Sequence, residues 1–367
     1  MKILLLSCLT ENKSGNIYGG AEKSIINLAN YLSKQYNVYL ASVEGKARAF
    51  DVDPRVTFIG SDNLNKYNKI ITHFRMLKNT WEIISKVDPD IIISYWIHPM
   101  FYTCLLSKFR KKTLIYSERN DPNLEYGRLS KILRYIVTKS VNGIVFQTQD
   151  AQNYFSEDIR KKSMVIHNPV YIKYGDYPFK MEMDNRIVSV GRLEKQKNHL
   201  LLINSFKKIS EKYPNLVLEI YGGGSLKAEL QRKILELKLE EKVFLKGSCS
   251  NVLDKILGAR LFVLSSNYEG MPNALMEAMC LGVPSLSSDC PCGGPRELIQ
   301  NRQNGYLFSN QDENSLLQKM DEILSLSPDM LNELRRNSRM LCETHSQDKI
   351  FGQWIAYIEK LYFINRN

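Results

Sequence analysis

No run of 18 or more apolar residues occurs in the chain, so the sequence offers no single helix able to span a bilayer. Short-period repeats and low-complexity tracts are missing too, which sets aside repeat architectures and long disordered segments. The Gly-x-Gly-x-x-Gly fingerprint with its ribose-binding acid does not occur, which argues against a dinucleotide-dependent dehydrogenase. Seven cysteines, at 8, 104, 249, 280, 290, 292 and 342, are an odd number scattered through a long chain, and they read as reduced thiols. The close pair Cys290-Pro-Cys292 has no second pair and no nearby His, so it reads as a loop rather than a zinc site. Acids are short against bases, 39 to 50, giving a formal net charge of +11. That excess suits nucleic acid, an anionic membrane surface or a phosphate-rich substrate.

What is present fits a globular chain of two domains: 367 residues, 44% apolar and 24% charged. The apolar start, Met1 to Leu9, is short and lacks a good cleavage site after it, so it reads as a first buried strand, and the protein is expected in the cytoplasm. Buried apolar runs at 2–8, 38–41, 90–94, 113–117 and 143–147 alternate with helical patterns near 21–34, 68–86, 99–108 and 127–140. A second cycle of strands follows at 186–190, 216–221, 243–245, 261–265 and 285–288. Such alternation indicates parallel sheets covered on both faces, hence an α/β chain of two Rossmann-like domains. The join falls near Ile166-His-Asn-Pro-Val170, dividing the chain into 1–168 and 169–347. The last segment, 348–367, is apolar at helical spacing through Ile350, Trp354, Tyr357 and Leu361.

The most informative stretch is Ser266-Asn-Tyr-Glu-Gly-Met-Pro-Asn273, which follows the apolar run Leu261-Phe-Val-Leu-Ser-Ser266 and leads into Ala274, Leu275, Met276 and Glu277. Pro272 and Asn273 read as the first turn of a helix, whose free N–H groups and dipole form an anion site. Glu269 then lies in the loop before the helix and Glu277 in its second turn, flanking that site and able to accept hydrogen bonds from a sugar and a ribose. An exposed loop acid and a solvated helix acid are the plain alternative. A second block, Ile187-Val-Ser-Val-Gly-Arg-Leu-Glu-Lys-Gln-Lys-Asn-His199, reads as a strand, a Gly191 turn and a basic loop entering a helix. Arg192 offers a planar fork and Lys197 a point charge, a combination able to grip a diphosphate, with two ordinary surface cations as the plain alternative.

Taken together, Glu269-x7-Glu277 in its setting, Leu281-Gly-Val-Pro-Ser285 after it, and Gly191-Arg-Leu followed by Lys197 resemble the family-4-type retaining glycosyltransferases of the GT-B fold. The resemblance implies two Rossmann-like domains facing across a cleft, with an acceptor-binding first domain, a nucleotide-sugar-binding second domain and a final helix returning to the first. It implies donor contacts from Gly191, Arg192, Lys197, Glu269, Gly270, Met271, Pro272, Asn273, Ala274, Leu275 and Glu277, and a reaction without a resident cofactor or metal. Ser117-Glu-Arg-Asn-Asp121, Asp289-Cys-Pro and Gly294-Pro-Arg-Glu297 look most like bacterial enzymes adding galactose-type or N-acetylgalactosamine units to lipid-linked oligosaccharides or surface polysaccharide.

Two glycine loops, Tyr18-Gly-Gly-Ala-Glu22 with Gly19 and Gly20, and Tyr221-Gly-Gly-Gly-Ser225 with Gly223, carry little bulk, so their backbones can approach a phosphate or sugar. On the acceptor side His98, Glu118 and Arg119 follow strands and are expected to face the cleft. Many family members have a His where this chain has Ser117-Glu-Arg-Asn, so the acceptor-side acid or base stays open among the three, with His98 counted among the catalytic candidates. The basic stretch Lys66–Lys78 puts Ile70, Phe74 and Leu77 on one helical face with Lys69, Arg75 and Lys78 around it. A solvated helix and a helix touching lipid phosphates are the two readings.

Asp51-Val-Asp53 and Asp88-Pro-Asp90 have the pattern of a metal-binding acid pair, but one borders a loop and the other precedes its strand. The expected partners are therefore a UDP-sugar, a lipid-linked or saccharide acceptor and an anionic membrane, without nucleic acid. A nucleotide-sugar epimerase and a polyanion-binding protein are the rival readings.

Overall fold

The structure is a computed structural model, described over residues 1–9, 20–45, 52–62, 64, 67–106, 112–119, 121–123, 128–173 and 175–366. The chain divides into two compact units, Met1–Asn168 with Asp348–Asn367, and Pro169–Gln347.

In the first unit the elements run β1 (Lys2–Ser7), α1 (Gly20–Leu32), β2 (Asn37–Ser42), β3 (Thr57–Ile59), α2 (Lys69–Val87), β4 (Ile91–Ser94) and α3 (Ile97–Leu105). They continue with β5 (Thr113–Ser117), α4 (Arg128–Ser140), β6 (Gly143–Phe146), α5 (Gln149–Asn153), α6 (Glu157–Lys161) and β7 (Ser163–Val165). The seven strands are parallel, in the order β3-β2-β1-β4-β5-β6-β7. β1 and β4 are buried through Leu4, Leu5, Ile92 and Ile93, as central strands covered on both faces must be. Sequence reading passed over β3 and β7 because each is three residues long, lies at a sheet edge and is half-buried, leaving no apolar run to detect.

The second unit runs β8 (Arg186–Val190), α7 (His199–Lys212), β9 (Val217–Tyr221), α8 (Lys227–Glu236), β10 (Val243–Gly247), α9 (Val252–Ile256) and β11 (Leu261–Leu264). After these come α10 (Asn273–Cys280), β12 (Ser285–Asp289), α11 (Gly294–Leu298), β13 (Tyr306–Ser309), α12 (Glu313–Leu324), α13 (Pro328–Arg339) and α14 (Leu341–Thr344). Six parallel strands are ordered β10-β9-β8-β11-β12-β13. β12 contains three serines and is still buried, because Ser285 Oγ and Ser288 Oγ donate to the carbonyls of Val283 and Ser266.

The closing helix α15 (Gln347–Arg366) turns Ile350, Trp354, Tyr357 and Leu361 into the core of the first unit. The Tyr357 hydroxyl accepts from the Ile144 N–H at 3.0 Å and donates to the Lys162 carbonyl at 2.6 Å, fastening the helix across the ends of β6 and β7.

Each sheet reverses its strand order once, between β1 and β4 in the first unit and between β8 and β11 in the second. Loops leaving the carboxyl ends of strands at such a reversal diverge to opposite faces and open a crevice for a ligand. The residues that follow β4, β8 and β11 therefore stand where each unit can receive a ligand.

Candidate active site

In the second unit, two loops emerge side by side at the reversal: Gly191–Asn198 after β8 and Ser265–Pro272 after β11. They are sewn together by main-chain and side-chain bonds. Asn267 N–H donates to the Gln196 carbonyl at 2.7 Å, and its amide donates to the Lys195 carbonyl at 2.7 Å. Ser265 Oγ donates toward the Lys197 and Asn198 carbonyls at 3.0 and 3.1 Å. Asn198, in the left-handed region at φ 45°, caps α7 and reaches Asn267 Oδ1 at 2.9 Å. The third loop, Gly222–Ser225, closes on the same place: Gly222 sits with its α-carbon so near the Gly191 carbonyl that a Cβ would lie 1.9 Å from that oxygen. Glu194 completes the stitching by accepting from the Ser225 N–H and Oγ, both at 2.8 Å, bonds that lower its pKa. Gly223 lies exposed in that loop.

This framework places Lys197 against Glu269. The Lys197 ammonium is paired with Glu269 Oε1, which also accepts from Ser266 Oγ at 2.6 Å. Glu269 is only 6% exposed, so it is not the solvent-facing loop tip that its sequence position suggests; the bonds of Gln196 and Asn267 draw its loop down over the basic one. Among the described residues nothing donates to its second oxygen, Oε2. Arg192 is exposed and donates to Gln196 Oε1 at 3.0 Å, and Gln196 in turn donates to the Tyr268 carbonyl at 3.1 Å. Gln196, unmarked in the sequence because its amide belongs to no charge pattern, thus links the Arg192 fork to the Glu269 loop.

His199 is the second residue that sequence reasoning missed. It is buried at the start of α7, and burial, then the Lys197 charge, push its pKa down to about 4. The backbone of Gly191 and Arg192 borders the ring, yet neither ring nitrogen completes a hydrogen bond. A neutral imidazole is the only form this position tolerates near pH 7. It adds no further positive charge beneath Lys197.

Helix α10 begins at Asn273, with Pro272 as its cap residue rather than its first helical residue. Its first-turn N–H groups are the donors that any helix start leaves for an anion. Asn273, Ala274 and Glu277 are half-buried, with Glu277 four residues after Asn273 and so above it on the same helical face. Met271 and Leu275 correct the sequence reading, because both side chains lie in the core, Leu275 at 0% exposure. Apolar anchors at these positions hold the helix on β11, so only their main chains are left to meet a ligand. Gly270 is pressed against Gly294 at the start of α11, where a Cβ would come 1.6 Å from the Gly270 carbonyl oxygen. Asp289 beside it is paired with Arg296 at 2.7 Å.

In the first unit, His98 lies in the first turn of α3, directly after β4 at the strand reversal. Its ring is 5.1 Å from that of His73 on α2, and His73 Nδ1 is 2.6 Å from the Tyr102 hydroxyl. Burial, then the neighbouring His73, lower the pKa of His98. Tyr102 is pushed up to about 12 by burial, then by Cys8 and Glu44, so its hydroxyl keeps its proton beside His73. The other acceptor-side candidates are placed differently from expectation. Glu118 is 2% exposed and accepts from the Tyr116 hydroxyl at 3.3 Å, which turns it into the sheet. Arg119 stacks over the Tyr95 ring at 3.7 Å and donates to Asn168 at 2.9 Å, a use as a packing pin beneath Trp354. Gly20 opens α1, whereas Gly19 and Lys66 lie outside the described residues. On α2, Lys69 is exposed, Lys78 is 3.6 Å from Glu82, and Arg75 stacks on the Tyr67 ring at 4.0 Å.

Comparison with known proteins assigns both halves. Residues 18–174 match the model described as Glycosyltransferase Family 4, and residues 177–340 match Glycosyl transferases group 1. An uncharacterized glycosyltransferase of Methanocaldococcus jannaschii is 30% identical over 298 residues, 73% of this chain and 71% of the relative. An undecaprenyl-diphosphate-linked glycan α-1,4-N-acetyl-D-galactosaminyltransferase of Campylobacter jejuni is 22% identical over 348 residues, 94% of this chain and 96% of the relative. Among solved structures, Anabaena HepE in complex with UDP and glucose superposes with a TM-score of 0.80 at 16% identity, covering 98% of this chain and 99% of that one.

Proposed function

Because the chain belongs to the glycosyltransferases, with two parallel-sheet units of GT-B type, we propose that it transfers a hexose or N-acetylhexosamine, of galactose or GalNAc type, from a UDP-sugar to a lipid-linked saccharide with retention of configuration. Family membership removes the support for an epimerase or a polyanion-binding protein. The Campylobacter relatives act on undecaprenyl-diphosphate-linked glycans, and HepE was crystallised with UDP, which favours this donor and acceptor class. Such an enzyme works at the cytoplasmic face of a membrane as a peripheral protein.

The observation that carries the reading is the pairing of Lys197 with Glu269 between the β8 and β11 loops. As the bond from the anomeric carbon to the donor phosphate breaks, negative charge grows on the diphosphate. The Lys197 ammonium, the Arg192 guanidinium and the first-turn N–H groups of α10 are fixed donors for that charge, the role a metal plays elsewhere. Glu269 holds Lys197 in place through Oε1 and offers Oε2 to a hydroxyl of the transferred sugar. Glu277 accepts from the ribose. The acceptor hydroxyl attacks from the leaving-group side, and the departing phosphate takes its proton, with His98 as a neutral acceptor-side partner.

The test is a panel of UDP- and GDP-sugars scored for thermal stabilisation and hydrolysis in EDTA, followed by NMR of the transferred product. Stabilisation by a UDP-hexose or UDP-N-acetylhexosamine, turnover in EDTA and an α-product are expected. An inverted product, or turnover that needs added manganese or magnesium, overturns the corresponding part of the proposal.

A further inference from the structure

The helices α2, α3 and α4 form one layer: α3 packs against both others, and right-handed crossovers from β3 to β6 put all three on the same face of the first sheet. Their inward residues serve the core. Outward, α2 exposes Ile70 and Phe74, each at 70%, and Trp81 at 45%, at spacings of four and seven residues on one helical face. α4 exposes Ile132 and Tyr135, the latter at 65%, and α3 ends on the exposed Leu105. Leu77, expected in this stripe, is half-buried and contributes little to it.

Charge decides what such a surface meets. Across the three helices there is one acid, Glu82, while Lys69, Lys78, Lys86, Lys131 and Lys139 are all exposed. Lys78 and Lys139 have a carboxylate at 3.6 and 3.5 Å, and no ion pair of the other three lysines is found among the described residues. A protein partner matched to this face would need to be strongly acidic and apolar at once. A bilayer containing anionic lipid satisfies both demands: lysine stems reach up to the phosphates while aromatic and branched side chains enter the headgroup boundary. The stripe is also richest where α2 and α4 begin, which is the carboxyl edge of the sheet, the edge that carries His98.

We infer that the outer face of α2, α3 and α4 docks on an anionic phospholipid bilayer, with Ile70, Phe74 and Tyr135 inserted and Lys69 and Lys131 on the phosphates. The purpose of the docking rests on the proposed lipid-linked acceptor, but the docking itself does not require it. Sedimentation of the full chain with phosphatidylglycerol–phosphatidylcholine vesicles, against phosphatidylcholine alone, measures it at low and physiological salt. Each lysine near an anionic surface changes partitioning roughly five-fold, so the double reversal Lys69→Glu/Lys131→Glu should lower it by more than ten-fold. The triple variant Ile70→Ser/Phe74→Ser/Tyr135→Ser should release the protein at either salt, and unchanged melting temperatures show that these exposed sites leave the fold intact. Wild-type protein that ignores anionic vesicles, or variants that bind as it does, overturn the inference. So does a dimer in sedimentation velocity that the triple variant dissolves, since the face would then hold a second copy. Nucleotide-sugar hydrolysis without acceptor should persist in all variants. Its absence from the wild type, with vesicle binding intact, would defeat the proposed transfer reaction and leave the docking face standing.

Discussion

Lys197 and Glu269, 72 residues apart in sequence, meet as a buried ion pair that closes the loop after β8 onto the loop before α10. Neither charge can be removed without consequence for the other. Lys197→Met leaves a buried carboxylate without its cation and is expected to destabilise the second unit by about 3–5 kcal/mol, the usual cost of breaking such a pair. Glu269→Gln keeps Oε1 as an acceptor for Ser266, so the stability loss should be smaller while turnover falls through a misplaced Lys197. The double variant should recover most of the stability and none of the turnover. Thermal melts with steady-state kinetics on all four proteins measure the coupling, and additive stability losses would show that the pair does not act as a unit.

Arg192 presents the opposite case, a cation that is exposed and, among the described residues, held by Gln196. Arg192→Ala should change stability by less than about 0.5 kcal/mol. It should lower kcat/KM for the nucleotide-sugar by roughly 1.5–3 kcal/mol, about 10- to 150-fold, the scale of a hydrogen bond to a charged group. Gln196→Ala should give part of the same loss by freeing the guanidinium. Wild-type kcat/KM in Arg192→Ala removes Arg192 from the diphosphate site.

The strands that carry these residues were legible because β8 keeps Ile187, Val188 and Val190 apolar around Ser189, while β11 is buried throughout and reads as an unbroken apolar run. Gly191, Arg192 and Lys197 follow the first run, and Glu269 follows the second, so strand ends and motif together point to one place. What the sequence could not express was depth. Glu269 reads as a loop acid because burial of its charge is decided by a partner 72 residues away, whereas Glu118 has its partner Tyr116 two residues back and is hidden by the packing of the sheet end. Met271 and Leu275 sit inside a functional string yet serve packing, since a helix start must be anchored to present its N–H groups. Gln196 and His73 carried no signal at all, being single polar residues whose partners come from other elements.

His199 gives a pH test of the same region. Its pKa is lowered from 6.5 to about 4 in the folded protein, by burial first and then by Lys197. Between those two values the unfolded chain binds the proton and the folded chain does not, so acid favours unfolding across that window. The stabilisation is complete above pH 6.5 and falls by about 3 kcal/mol on approaching pH 4. His199→Gln removes this contribution, and its stability should vary less steeply over the window than that of the wild type. Chemical denaturation at several pH values between 4 and 7 measures the difference, and parallel curves for the two proteins would refute it.

Glu277 and Glu269 are expected to separate in kinetics because their surroundings differ. Glu277 is half-buried on the face of α10 above Asn273, where a nucleotide bound at the helix start would place its ribose. Glu277→Gln should raise the donor KM several-fold with little change in kcat, the pattern of an interaction equal in ground and transition states. A fall in kcat matching that of Glu269→Gln would place Glu277 at the reacting sugar instead.

The last prediction concerns His98 and its neighbour His73. Burial and His73 hold the His98 pKa below its ordinary value, while the groups facing the pair are Tyr102, kept protonated, and Cys8 and Glu44, both raised by burial. None of these three supplies a negative charge close enough to outweigh His73 in the balance on His98. His98 is therefore neutral at pH 7 and able to accept a hydrogen bond from the acceptor hydroxyl. If that contact assists transfer, kcat/KM for the acceptor falls on the acid side as His98 takes up a proton. His73→Gln removes the neighbour that lowers the His98 pKa, so that pKa rises and the acid limb moves to higher pH, with the alkaline plateau little changed. His98→Gln should lower the plateau and abolish the limb. An acid limb that stays in place in both variants assigns the titration to another group, and proton removal then falls to the departing phosphate alone.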